Sequence, residues 1–277
     1  MRIKTALVTG GTSGIGLSLV KALAKESYRI FFIGTNKYKG REIETQLKKQ
    51  YSNLSINFVH LDLSDLREVH RFANEFKSEN KELDLLANIA GVLLLQRSES
   101  KDGIEKTFAI SYLASFHMTN QLIPLLKKSQ QGRVINVAAA PSVILKPELD
   151  FDNLNSQKKY NGFQASTLAV HAKTVFTQSL AEKLADSNIT VNSFHPGNIR
   201  SELFRNMAPI QRNLMKLFTT FFKTESSTAI YTALNPKLNT KTGNLIVGTK
   251  AIPLNFNRDY KDRLWDKSKE MVNLSLQ

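Results

Sequence analysis

"LVTGGTSGIG", residues 7–16, decides the fold. An apolar run, "ALVTG" (6–10), stops at a glycine, and a helical pattern opens just beyond it, with Val20, Leu23 and Ala24 at three- and four-residue spacing. Gly10, Gly14 and Gly16 fall in the turn between strand and helix. Glycine permits a tight turn and lets backbone N–H groups approach a pyrophosphate at a helix N-terminus. A glycine triplet alone is a weak signal, and a ligand-free turn is the plainer alternative. Strand before and helix after make the dinucleotide-binding reading the stronger one.

The pattern repeats along the chain. "RIFFIG" (29–34), "INFVHLD" (56–62), "LDLLANIAG" (83–91), "RVINVAAA" (133–140), "ITVNSFHPG" (189–197) and "NLIVG" (244–248) are short apolar runs, and helical spacing separates them, as in Val69, Phe72, Ala73 and Phe76. Strand–helix alternation of this kind builds right-handed βαβ units and a parallel sheet covered on both faces. The expectation is α/β: a single Rossmann-like doubly wound domain over residues 1–277 with a seven-stranded parallel sheet. With 277 residues, 42% of them hydrophobic, the chain can bury such a core. "FRNMAPIQRNLMKLFTTFFK" (204–223) breaks the alternation and is apolar, aromatic and basic. A lid over the ligand is the favoured reading; a core segment and a membrane-surface contact are the alternatives.

The end of the second strand bears on the cofactor. A free ribose 2′-hydroxyl usually meets an acidic residue there. This chain instead offers Thr35, Asn36, Lys37, Lys39 and Arg41. Basic and hydroxyl-bearing groups suit a 2′-phosphate, so NADP(H) is expected ahead of NAD(H). A solvated basic loop is the plainer alternative.

Composition sets outer limits. There is no cysteine, which excludes disulfides, thiolate chemistry and Cys-ligated zinc, and no metal is expected. A net charge of +14 favours anionic partners such as nucleotides or an acidic surface, although lysines spread along the chain also read as a solvated exterior. Neither zinc-finger spacing nor an RNA-binding signature is present, so no nucleic acid is expected. The first residues, "MRIKTALVTGG", enter a strand at once, and no run reaches the roughly 18 apolar residues of a membrane span. A soluble, cytoplasmic protein is the expectation.

"TGGTSGIG", "LDLSDL" (61–66), "LLANIAG" (85–91) and "HPGNIRSEL" (195–203), in this order, resemble the short-chain dehydrogenase/reductase superfamily. "TNQLIPLLK" (119–127) and "DRLWDKSKEMV" (262–272) are similar to its retinol-dehydrogenase branch. The resemblance spans essentially the whole chain. It implies a nicotinamide cofactor held by Gly10, Thr12, Ser13, Gly14, Ile15 and Gly16 at the pyrophosphate and by Asp62 and Leu63 at the adenine. Asn88, Ala90 and Gly91 would line the end of the fourth strand, and Pro196 and Gly197 the nicotinamide pocket. Ile89 departs from the family's second asparagine. Dimers or tetramers are common in the family, so a homodimer is a further expectation.

The resemblance also implies four catalytic positions. The family uses a tyrosine as general acid or base, with a lysine four residues on that lowers its pKa and holds the nicotinamide ribose. A serine polarises the substrate oxygen, and an asparagine supports a proton relay. "GRVINVAAA" places the serine position at Ala139, "FAISYLASFHMTN" (108–120) places the asparagine at Ser111, and "FTQSLAEKL" (176–184) sets the register for Ser166 and Val170 in place of tyrosine and lysine. All four usual groups are replaced.

Substitutes are few. Tyr160 has Gln164 four residues later and precedes the helix core; Lys173 follows Ser166 by seven and shares its helix face as a weak substitute. His171, His195, Tyr112 and His117 read as packing or structural residues, and Ser142 would need a shifted loop. Three functions remain open. The first is an NADP(H)-binding family member without ordinary carbonyl/alcohol dehydrogenase activity. The second is an NADPH-using oxidoreductase of non-standard mechanism on an unidentified small molecule. The third is a nucleotide-free interaction module.

Overall fold

The computed structural model describes residues 2–197, 199 and 225–276; the 204–223 stretch lies outside the described residues. The described residues form eight strands: β1 (Thr5–Thr9), β2 (Arg29–Gly34), β3 (Ile56–His60), β4 (Leu85–Asn88), β5 (Gly132–Val137), β6 (Ile189–His195), β7 (Asn244–Val247) and β8 (Lys250–Pro253). They form one sheet in the order β3-β2-β1-β4-β5-β6-β7-β8. The first seven are parallel, as the alternating sequence pattern requires. β8 is an addition to the expected seven and runs antiparallel to β7. Gly248, at φ +63°, and Thr249 close a two-residue hairpin between Val247 and Lys250. "KAIP" lies mostly exposed at the edge, so it carries no buried apolar alternation to announce it.

Among the described residues the α-helices are α1 (Gly14–Lys25), α2 (Lys37–Gln50), α3 (Leu66–Glu79), α4 (Lys106–Phe108), α5 (Ala114–Lys128), α6 (Pro141–Ile144), α7 (Gly162–Lys183), α8 (Ser227–Leu234) and α9 (Arg258–Leu276). A π-helical turn, Ala109–Leu113, joins α4 to α5. Alternate strand residues feed two cores, because successive side chains point to opposite faces. Leu7, Leu86 and Val134 pack with Val69, Leu122, Phe176 and Leu264 on the face covered by α3, α5, α7 and α9. Ala6, Val8 and Ile135 pack with Leu19, Leu23, Leu47 and Ala229 on the face covered by α1, α2 and α8. β1 and β4 are buried throughout, which explains the apolar runs Ala6–Val8 and Leu85–Ala87 within them.

β1 pairs with β2 on one side and β4 on the other. The chain therefore steps outward to β3 and then resumes on the far side of β1. Such a reversal opens a crevice beyond the carboxyl ends of the strands, where ligands bind in doubly wound sheets.

Candidate functional site

A cleft of about 420 Å³ opens at that reversal. Its first wall is the glycine turn, with Gly10, Thr12, Ser13, Gly14, Ile15 and Gly16 all lining it. Gly10 has φ +67°, and a Cβ on Gly16 would lie 2.2 Å from the Gly10 carbonyl oxygen. The turn thus closes only with glycine at both positions. Ser13 stands at the N-cap of α1 but makes no side-chain cap, and no acidic residue occupies the first turn. Asn36, Asp65 and Asn161 do cap α2, α3 and α7 with their side chains. The α1 N-terminus therefore keeps its N–H donors and its partial positive charge toward the cleft, which fits a pyrophosphate.

Thr35, Asp62 and Leu63 line the next wall. Asp62 is held by the Ser64 backbone N–H at 2.9 Å and hydroxyl at 2.8 Å. Asn36 and Lys37 do not line the cleft: Asn36 accepts from the Lys39 backbone N–H, and Lys37 is the exposed first residue of α2. Arg41 bonds Glu44 at 2.6 Å and lies over the Phe58 ring.

Ile89, Ala90, Gly91 and Val92 form the centre of the floor. Thr9 fixes this turn by accepting the Ile89 and Ala90 backbone N–H groups at 2.9 and 3.1 Å. The chain path expected past Ile89 is thus held by a threonine on β1. Asn88 sits behind the floor. It is fully buried, and its amide donates to Thr119 at 2.9 Å and Asn136 at 2.8 Å. It supports the turn from below and presents no surface to the cleft.

The remaining wall collects the four positions read from distant motifs. Ser111, Ala139, Ser166 and Val170 all line the same cleft. The π turn turns Ser111 inward, and its hydroxyl accepts the Val92 backbone N–H at 3.2 Å. Ala139 and Val170 pack around a small apolar cluster of Ala138, Ile144, Leu245 and Leu254. Lys173 lies one turn beyond Val170, wholly buried beneath the floor, with its amine donating to the Ala90 carbonyl at 3.4 Å. Burial pushes this amine down to about 7. His195, Pro196 and Gly197 complete the wall, with the Pro196 carbonyl held by the Ser226 hydroxyl at 3.0 Å. Burial lowers the His195 pKa, and its Nδ1 is enclosed without a hydrogen-bond partner among the described residues.

Other candidates are committed elsewhere. The Tyr160 hydroxyl donates to the Leu94 carbonyl at 2.7 Å and does not line the cleft; burial raises its pKa. His171 bridges the Ile144 carbonyl at 2.6 Å and the Tyr260 hydroxyl at 2.9 Å. Tyr112 bonds Ser268 at 2.7 Å, and His117 stacks on His70 at 5.3 Å. Ser142 is exposed and off the cleft. Sequence reading missed Ile110, Val143, Thr167 and Ile199, which also line the wall. No motif marks them, since side chains that only shape a cleft need bulk rather than a particular chemistry.

The short chain dehydrogenase family model matches residues 4–211. This chain belongs to the short-chain dehydrogenase family. Among curated relatives, human polyprenol dehydrogenase is 31% identical over 284 residues, covering 98% of this chain and 86% of the relative. Mouse retinol dehydrogenase 11 is 31% identical over 277 residues, covering 98% and 87%. The retinol-dehydrogenase-like branch suggested by the later motifs is thus shown. The fold recurs in a solved Mycobacterium paratuberculosis protein with TM-score 0.73 at 20% identity, covering 98% of this chain and 93% of that one. It recurs also in a Shigella flexneri short chain dehydrogenase complexed with NADP, with TM-score 0.68 at 19% identity, covering 89% and 97%.

Proposed function

We propose that this dehydrogenase-family chain binds NADP(H) in the cleft but lacks the side chains for ordinary carbonyl/alcohol interconversion. The observation that carries the reading is the content of one wall: Ser111, Ala139, Ser166 and Val170 together, with no phenol among them. These positions match the family's asparagine, serine, tyrosine and lysine. Bound NADPH would supply a hydride. The residues here would supply binding and shape: the open α1 N-terminus for the pyrophosphate, and Thr35 and Asp62 for the adenosine side. Thr35 lines the cleft and is followed in sequence by basic residues rather than an acidic one, which supports NADP over NAD.

Proton transfer is where the site differs. A serine hydroxyl at 166 is shorter and far less acidic than a phenol, and Val170 gives it no cation. Ala139 offers no donor to a developing oxyanion. Losing a general acid and an oxyanion donor each costs roughly 100-fold or more in rate.

A second reading keeps turnover but changes the substrate. The cleft has a volume of about 420 Å³, and Ile110, Val143 and Ile199 give it apolar walls. These suit an apolar substrate with a polarised alkene, whose enolate after hydride addition takes its proton from water; an activated iminium becomes a neutral amine on hydride addition and needs no acid. Relatives named for polyprenol and retinol make an apolar, isoprenoid-like molecule the natural first substrate to try. NADPH oxidation measured against aldehydes, ketones, enones and iminium ions separates the two readings. Turnover confined to enones or iminium ions favours the second, and turnover with simple aldehydes sinks both.

A further inference from the structure

Lys173 is the one lysine or arginine lining the cleft among the described residues. Among the described residues its amine forms no ion pair, and its single hydrogen bond, to the Ala90 carbonyl, is long at 3.4 Å. Buried ammonium groups are costly unless paired, so an ammonium with one long bond is an incomplete arrangement.

Helix geometry shows what would complete it. Residue 173 lies on the face of 166 and 170, and helical side chains lean toward the N-terminus over the preceding turn. A long side chain at 173 therefore carries its amine back toward the level of Val170. The Ala90 contact fixes that amine under the turn after β4, on the α7 side of the cleft. With the α1 N-terminus taking the pyrophosphate and Thr35 and Asp62 the adenosine end, this is the nicotinamide half.

We propose, on the reading that the cleft holds a dinucleotide, that Lys173 is a cofactor lysine displaced by one helical turn: it meets the nicotinamide-side ribose from the floor and takes up a proton as the anionic cofactor enters. Burial favours the neutral amine and holds it near 7. Phosphates and ribose hydroxyls bring the negative charge and acceptors it lacks. Neighbouring charges do not do so. Arg133 on β5 turns to the Thr232 and Ala233 carbonyls, Tyr112 on the π turn to Ser268, and Tyr260 on α9 to His171. Lys261 pairs with Glu182 on α7 itself, Lys106 on α4 is half-exposed, and His195 and Asp62 share the cleft without bonding the amine.

The test titrates wild type and Lys173→Met with NADPH from pH 6 to 9, with 2′,5′-ADP as a probe of the adenosine half. Wild-type affinity should be level below the free-state pKa and fall above it by up to about tenfold per pH unit. Lys173→Met should lose that component and bind NADPH about tenfold more weakly near pH 6. Its 2′,5′-ADP affinity should not change, and titration of the 2′-phosphate, common to both proteins, cancels. Calorimetry of wild type in two buffers of unlike ionisation enthalpy counts the protons without any variant. The expected uptake at pH 8 approaches about one per NADPH. No proton uptake, or a folded variant with wild-type affinity and pH profile, overturns the lysine assignment while leaving the cofactor site standing. Wild type that binds neither NADPH nor 2′,5′-ADP overturns both.

Discussion

Val170 and Lys173 stand one turn apart on the same face of α7, and both line the cleft. The first is half-buried among aliphatic side chains; the second has no exposed surface and reaches the Ala90 carbonyl. On the proposed reading, Val170 stands at the family's lysine position, and Lys173 lies one turn further along the same helix face. This pairing predicts a specific trade between stability and pH. Lys173 has a folded pKa of about 7, far below its unfolded value of about 10.4. Between these values the unfolded chain holds the proton more tightly, so its stability handicap is full below pH 7 and fades as pH rises to about 10. Lys173→Met should stabilise the cofactor-free protein at pH 7 by up to about 4 kcal/mol, a gap that closes toward pH 10. Urea unfolding at both pH values checks it, and an unchanged gap would contradict it.

Ser13→Asp should separate folding from binding. An aspartate there can cap α1 and complement its dipole, raising stability by about 0.5–1 kcal/mol. The same carboxylate would occupy the site proposed for the pyrophosphate and repel it. Thermal melts without nucleotide should shift upward while NADPH affinity falls at least about tenfold. Unchanged affinity would mean the α1 N-terminus is not the anion site.

Restoring the four family side chains, Ser111→Asn, Ala139→Ser, Ser166→Tyr and Val170→Lys, should introduce aldehyde reduction. General acid catalysis alone adds about 100-fold or more. NADPH oxidation by the quadruple variant is the readout. A folded, NADPH-binding variant that stays inactive would count against these four positions being the altered catalytic set.

His117 makes a separate pH prediction on the α3–α5 contact. Burial, with the neighbouring charges of His70 and Lys77, lowers its pKa to about 4. The unfolded chain, near 6.5, then binds more protons between those values, and stability falls as pH drops from about 6.5 to 4. The loss is on the order of 2 kcal/mol, and His117→Asn should remove most of that slope in denaturant titrations.

Much of this was legible in the sequence for physical reasons. A strand buried on both faces must be apolar, and a turn that closes on Gly10 and Gly16 must be glycine, so β1 and its turn could be read directly. Positions 111, 139, 166 and 170 come from three separate stretches, yet their registers converge on one cleft. What could not be read depends on tertiary direction. Asn88 looks like a cleft residue in its motif, but strand alternation turns it into the core against Asn136. Arg41 belongs to a basic loop in sequence and to Glu44 in space. The burial of Lys173 follows from how α7 packs on the sheet, which no local pattern encodes. β8 owes its place to pairing with β7 rather than to its own residues.

The most direct measurement joins both halves of the account in one cuvette. Purified protein is titrated with NADPH by fluorescence, with NADH alongside, and a simple aldehyde is then added to the saturated complex. The account predicts saturable binding that favours NADPH, and a bound signal that persists after the aldehyde. Failure to saturate at millimolar NADPH, or rapid loss of the signal on adding aldehyde, would contradict it.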